Sequence, residues 1–445
     1  MENSKNRMGY LPIPKLIVNV SVPLMVSMLV QSLYNVVDSM FVSRISEHAV
    51  TAVSLAYSAQ MLMLAVAVGT GVGVNSLLSR SLGKRDFDKV NSVATNGLFL
   101  AVFWTVICMI IGTFGAGNFI KSFTDDPEIS ALGTHYLSIC MIGCIGIFVA
   151  TTGERLLQST GNTTLSMISQ LCGAVTNIIL DPIFIFGFNM GISGAAYATI
   201  IGQMVAAAVS MTFNAIKNKE IHFSIRGFKP DYQTIAGIYK VGIPTFVMQT
   251  MGSLMMIFIN KILFMESSTA VAFYGIYYKL YTFLYMPVSG LSQGLIPIVG
   301  FNFGAKKPDR IREAFKLTLI VSMIIMTVGA IAYFILPSQL LGMYNASSEM
   351  LTFGVPAMRI MVCTYPIAAI TICIGFAGSG LGNGVIAMIG TLLRQLALLI
   401  PTCYLLYHYL GFGYLWYAVW LSEICAAAFS IISIHFEFRK KLSKI

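Results

Sequence analysis

Four polar side chains interrupt otherwise apolar stretches of the chain, and their types are those of a cation site. Asp38 lies in "YNVVDSMFV" and Asp181 in "TNIILDPIFIFG". A carboxylate costs several kcal/mol in a dry interior unless it is paired or bound, and more in lipid. Asn177 stands four residues before Asp181, hence on the same helix face. Pro182 cannot donate to the carbonyl of Ile178 and leaves that oxygen free. Thr199 follows the turn "GFNMGIS" by about as much as Asp181 precedes it, so an antiparallel hairpin sets the two side by side. Two carboxylates, an amide oxygen, a hydroxyl and a loose carbonyl make an oxygen-only set. Such a set suits a hard cation such as Na⁺. Two close carboxylates would equally hold a shared proton. The coupling ion expected is therefore H⁺ or Na⁺, with no other cofactor.

The elements that carry these residues are membrane spans. Hydrophobic residues make up 56% of the 445 and charged residues only 10%, where a soluble domain carries roughly 25%. Runs of about 20 apolar residues are long enough to cross a bilayer. Twelve are read: 16–42, 49–79, 91–113, 131–153, 163–187, 191–214, 235–263, 269–299, 313–336, 351–377, 384–407 and 413–436. The fold class is all-α, a polytopic membrane protein. Both termini then lie on one side, and that side collects the basic residues. They include Lys5, Arg7, Lys15, Arg80, Lys84, Arg85, Lys89 and Arg155 in the first half, then Lys217, Lys219, Arg226 and Lys229 in the linker. Lys306, Lys307, Arg310, Arg312, Lys316, Arg439, Lys440, Lys441 and Lys444 follow, while the opposite loops hold only Arg44, Lys121 and Lys261. The bias places both termini in the cytoplasm. It also accounts for the net charge of +10 without nucleic acid. The eight cysteines lie in apolar runs, without a C-x-x-C, and read as small hydrophobes.

The chain repeats itself. Pro23 and Pro244, Gly69 and Gly290, Gly73 and Gly294, and Gly83 and Gly304 are each 221 apart. "SLGKRDFDKV" (81–90) matches "NFGAKKPDRI" (302–311) at that offset, and "GNTTLSMI" (161–168) matches "GNGVIAMI" (382–389). Two six-span lobes follow, 1–218 and 235–445, joined by a cytoplasmic linker at 219–234. An even number of spans per half makes the repeat parallel about the membrane normal, with a substrate cavity between the halves.

The second half carries different charges. Ile259 and Thr402 stand where the repeat would place Asp38 and Asp181, so the cation site is confined to the first half. Lys279, Glu423, Arg394 and Arg359 are the deep charges there, and Lys279 and Glu423 are at similar depth and are expected to pair. Tyr34, Met248, Met255, Lys279 and Glu423 are the candidate cavity residues. Tyr57, Tyr136, Phe246, Met251 and Met256 are weaker ones, and methionines suit an adaptable apolar pocket.

With "YNVVDSMFVSRISEHAVTAVSL" at spans 1–2, the "SLGKRDFDKV" loop and the Asn177/Asp181/Thr199 spacing, the chain resembles the multidrug and toxic compound extrusion (MATE) family over essentially its whole length. In prokaryotic members a span 1 aspartate, an Asn-x-x-x-Asp in span 5 and a threonine in span 6 form the cation site. Asp38, Asn177, Asp181 and Thr199 match these one by one. The resemblance implies export of organic, drug-like, often cationic compounds in exchange for inward Na⁺ or H⁺, by a monomer in a bacterial inner membrane. The chain departs from relatives that carry a span 7 carboxylate, since "TFVMQTMGSLMMIF" (245–258) has none. The alternative is a lipid-linked oligosaccharide flippase of the same superfamily, which tends to carry more cations in its cavity. A major facilitator is disfavoured because "SRSLGKRD" lacks the acid usual in that loop. An enzyme is not expected, as no metal-protease, Asp-rich or Ser/His motif is present.

Overall fold

The computed structural model describes residues 6–223 and 228–442. Lys5, Arg226 and Lys444, counted above among the basic residues, lie outside them, as does part of the 219–234 linker. The described residues form helices and connecting turns, without strands. Ten helices are long and apolar enough to cross a membrane, beginning with Ile13–Ser43, Glu47–Gly83 and Phe87–Phe114 and ending with Val385–Leu410 and Phe412–Leu442. Two further crossings are bent. Pro127–Ile142 continues as Ile145–Ser159 at 45°, and Ser348–Val362 as Tyr365–Gly380 at 47°. Counting each bent pair once gives the twelve expected spans, numbered 1–12 below.

The repeat is written in the backbone. Ser46 caps span 2 by accepting from Ala49 N–H at 3.0 Å, and Ser267 caps span 8 by accepting from Ala270 N–H at 3.1 Å. Asp126 and Ser347 cap the two bent spans in the same way. Each cap satisfies amide groups that a helix start leaves free. Arg85 and Lys306 both take positive φ, 60° and 57°, just after spans 2 and 8. Each of these pairs is separated by the repeat offset. The two halves are therefore pseudo-symmetric in local conformation as well as in residue type.

Three cores show how the halves sit together. One holds only first-half residues such as Val42, Tyr136 and Ile185. Another holds only second-half residues such as Phe273, Tyr365 and Trp416. The largest joins both halves and contains Met8, Leu82, Phe301, Ile434 and Leu442. Both chain ends contribute to it, so it marks the terminal face of the molecule. The halves are fused there and keep separate cores towards the opposite face.

Glycines make that fusion possible. A Cβ on Gly83 would collide with the Phe301 carbonyl oxygen and lie 2.9 Å from Ala305 N. A Cβ on Gly304 would collide with the Arg80 carbonyl oxygen and lie 3.0 Å from Lys84 N. These contacts exchange under the 221-residue offset, which is the mark of a local two-fold axis. Gly69 likewise packs against the Gly242 carbonyl, and Gly290 against the backbone of Met25.

The first residues described are strapped across the junction. Asn6 Nδ2 donates to the Thr160 carbonyl at 3.1 Å and to Glu220 at 2.7 Å. Arg310 donates to the carbonyls of Met8 and Leu11, and Lys307 to that of Gly9. Burial pushes the Glu220 carboxyl up to about 6, against the opposing pull of Asn6. Nearby, Lys89 pairs with Asp231 at 3.3 Å. The Thr234 hydroxyl and then that lysine hold the Asp231 carboxyl down at about 2.

Candidate functional site

Asp181 is 0% exposed, one turn after the buried Asn177 on span 5, Thr163–Gly187. Asn177 Nδ2 donates to Thr199 Oγ1 on span 6, Ile192–Ile216, at 3.3 Å. Glycine sets this closeness, because a Cβ on Gly202 would stand 2.7 Å from the Gly173 carbonyl and 3.0 Å from Asn177 Cβ. Span 1 adds Asp38, half-buried near its far end. Tyr34, one turn earlier, sets its hydroxyl against Thr199 and lies within electrostatic reach of both aspartates. Asp38 and Asp181 act on one another as well. All four residues singled out in the sequence thus converge, as does Tyr34.

Just beyond Pro182 the helix widens into a π turn, Ile183–Gly187, where Phe188 N–H reaches back five residues to the Ile183 carbonyl at 2.9 Å. Such turns recur at functional sites. Both Asp181 oxygens, Asp38 Oδ1 and Asn177 Oδ1 are buried with no hydrogen-bond partner. Orphaned acceptors at such depth are rare in native proteins. Here they form an all-oxygen, all-acceptor group, which fits a small hard cation or protons on the acids.

The same pocket has a further wall, of which sequence reading named only Tyr136, as a weaker cavity candidate. Tyr136 and Cys140 lie against each other and against Gln60, with Asp38 in electrostatic reach. Gln60 interrupts the apolar "AQMLMLAVAVG", and that interruption was the available signal.

A second site lies between the halves. A cavity of about 360 Å³ is lined from the first half by residues including Gln31, Val68 and Arg155, and from the second by residues including Gln249, Tyr285 and Arg394. Of the candidate cavity residues, Met248 lines it. Tyr34 instead belongs to the aspartate pocket, and Met255 is buried in the second-half core. Lys279 is exposed. It stands two residues from both Tyr277 and Tyr281, whose rings meet the buried Tyr365. Two residues are about 200° of helix rotation, which turns Lys279 to the outside. The expected Lys279–Glu423 pair is therefore not made. Arg359 is exposed too, donating to the Phe334 carbonyl at 3.2 Å.

The sequence reading also ended span 4 at residue 153 and counted Arg155 with the loops. The helix runs to Ser159, and Glu154 and Arg155 are each only 7% exposed and line the cavity. Thr151, Glu154, Arg155 and Gln158 recur at helical spacing, a polar stripe that was legible.

Glu423 pairs instead with Arg394, Nε to Oε1 at 3.5 Å, both nearly buried. Arg394 sits in a second π turn, Leu393–Ala397, and Nη2 donates to the Tyr281 hydroxyl at 3.1 Å. Removing one member of a buried pair leaves an uncompensated charge and costs about 3–5 kcal/mol. Arg394→Met should lower the melting temperature in detergent by several degrees, and Arg394→Met with Glu423→Met should recover most of the loss. Melting of the single variant at the wild-type temperature would show that the pair contributes nothing to stability.

The chain is 25% identical over 427 residues to the multidrug export protein MepA of Staphylococcus aureus (strain MSSA476), covering 95% of this chain and 93% of that protein. It is also 25% identical over 418 residues to MepA of Staphylococcus saprophyticus, covering 93% and 91%. Among solved structures, an outward-facing multidrug resistance MATE transporter of the MOP superfamily superposes with a TM-score of 0.93 at 24% identity over both whole chains. A MOP superfamily transporter from Pyrococcus furiosus, described as having a binding pocket of reverse polarity, gives 0.92 at 23%, again over both whole chains. These similarities establish the fold. The MatE family model matches residues 23–183 and again 243–405, one match in each half. The chain therefore belongs to the MatE family of membrane transporters and is not an enzyme.

Proposed function

We propose that the protein exports drug-like organic compounds from the cell in exchange for inward H⁺ or Na⁺, with both termini in the cytoplasm. The observation that carries this reading is the group of orphaned oxygens on Asp38, Asn177 and Asp181, set apart from the central cavity. A coupling ion held in one half and a cargo held between the halves can each bias the same equilibrium. Each does so through its different affinity for the two states. The MepA relatives, named as multidrug exporters, support the cargo class.

The test is transport by purified protein in proteoliposomes loaded with a fluorescent organic dye. Dye should move uphill when a proton or Na⁺ gradient is imposed in the opposing direction, and not when both are collapsed. The ion whose gradient alone suffices is the coupling ion. Dye movement indifferent to both gradients, with translocation of a lipid-linked sugar, would favour the flippase instead.

A further inference from the structure

We propose that the terminal face binds the phosphate headgroup of an anionic phospholipid, in a niche between the halves formed by Arg80, Lys240 and Lys441. This does not depend on the export reading above. The niche lies at the turn that follows span 10. Gly382 there takes positive φ, 80°, and a Cβ on it would collide with the Arg80 guanidinium of the other half. Arg80 Nε donates to the Ser76 carbonyl at 3.0 Å, and its two Nη groups make no hydrogen bond among the described residues. Lys441, near the end of span 12, donates to the Leu381 carbonyl at 2.9 Å and pairs with Glu437 at 2.6 Å. Lys240 is exposed on span 7, next to Val241, against which Gly384 packs. Arg80 and Lys240 both act electrostatically on Lys441. Among the described residues neither Arg80 nor Lys240 has an acid within 4.0 Å. Glu437 answers Lys441 alone, and the other two charges are in excess.

The repeat supplies the contrast. Gly161, 221 residues before Gly382, also takes positive φ, 87°, and Met8 packs against it, with Cγ 3.4 Å from where a Cβ would stand. The Thr160 carbonyl there accepts from Asn6, as the Leu381 carbonyl accepts from Lys441. The repeat equivalent of Arg80 is Phe301. One copy of the niche is thus closed by apolar chain, and the other is cationic. Like charges held together repel, and an anion among them removes the cost. A guanidinium flanked by ammonium groups suits phosphate, which accepts from all of them. Depth makes a lipid the source. Arg80 is three residues from the end of span 2 and Lys441 one from the end of span 12. Both are therefore about 5 Å or less of helix rise from the end of a span, at headgroup level. Basic pockets between spans on the cytoplasmic side are a recurring seat for anionic headgroups. Both halves contribute, so the headgroup joins them only while the terminal face is closed, and its binding favours that state.

The test titrates lipid-stripped, full-length protein in detergent with phosphatidylglycerol or phosphatidylcholine and counts bound lipid by native mass spectrometry. Phosphatidylglycerol should bind at least about tenfold more tightly than the zwitterionic lipid. Lys240→Gln, at an exposed side chain, should weaken phosphatidylglycerol about fivefold, and Lys240→Gln with Arg80→Gln at least about tenfold, with phosphatidylcholine unchanged. Lys217→Gln with Lys316→Gln removes as much charge from exposed positions elsewhere on that face and should change the affinity by less than about twofold. Equal binding of the two lipids by wild type overturns the proposal. So does a phosphatidylglycerol affinity that survives both Lys240→Gln and the double variant, or one that the control pair lowers equally. Inorganic phosphate is titrated in parallel, read by its displacement of phosphatidylglycerol. Binding as tight as that of the lipid would make this a site for free anions and overturn the lipid assignment.

Discussion

Asp38→Asn and Asp181→Asn should each reduce gradient-driven efflux to background while the protein still folds and binds its cargo. Asp181 has two buried oxygens without a partner, and Asp38 contributes a third. Ionised together, the two acids repel strongly in so dry a pocket. A bound cation, or a proton on either, removes that repulsion and so favours the packing of spans 1, 5 and 6 that encloses it. Asparagine retains the shape and an acceptor oxygen but has no charge to compensate, so ion binding no longer distinguishes the two states. Without that difference the gradient has nothing to act on. Stability should not fall, because an uncompensated carboxylate is itself a burden of several kcal/mol. Efflux and melting temperature of both variants, measured beside wild type, decide the matter. Near wild-type efflux from either one would make the pocket structural and leave coupling to be sought elsewhere.

Gly83→Val and Gly304→Val should each drive the protein away from the arrangement in which the terminal face is closed. The partners of the missing side chains are backbone carbonyls of the other half, and a carbonyl cannot swing aside as a side chain can. Overpacking of this kind costs about 1–3 kcal/mol or more. The clash exists only while the halves touch, so the cost falls on one state. A bias of about 3 kcal/mol changes the ratio of states more than a hundredfold. Ser79, fully buried on span 2 beneath the contact, can report on it as Ser79→Cys in a background lacking the native cysteines. A membrane-impermeant maleimide added from the terminal face should label this cysteine much faster in either glycine variant, and transport should fall. Unchanged melting and elution profiles would separate this from misfolding. Labelling and transport both at the wild-type level would show that the contact is not a gate.

Much of this was readable in the residues alone, for definite reasons. Charge inside an apolar run is rare enough to single out Asp38 and Asp181. Helical spacing then drew Asn177 to Asp181, and the hairpin turn between spans 5 and 6 drew Thr199. The glycines that recur 221 apart are among those at which the two halves touch, because a duplicated contact constrains both copies alike. What escaped notice depended on rotation and on helix ends. Lys279 lies at a plausible depth but on the wrong side of its helix, and depth says nothing of azimuth. Glu154 and Arg155 looked like the start of a loop because two adjacent charges end an apolar run. Only the continued helix to Ser159 turns them into the cavity. The π turns at 183–187 and 393–397 were not read from the sequence, although Pro182 stands directly before the first of them.

The exchange of contacts between Gly83 and Gly304 has an ancestral consequence. Contacts in which a patch meets its own equivalent are those of a two-fold homodimer. A six-span half with such a glycine would have paired with a second copy of itself, in the same membrane orientation, before one gene encoded both. A symmetric pair of that kind carries every side chain twice, any ion-binding acid included. Fusion removed the obligation. One half could keep Asp38 and Asp181 while the other held Ile259 and Thr402 at the matching positions. On the proposed antiport reading, the fused chain is thereby free to run on one ion site per cycle, an economy no homodimer of identical halves could reach.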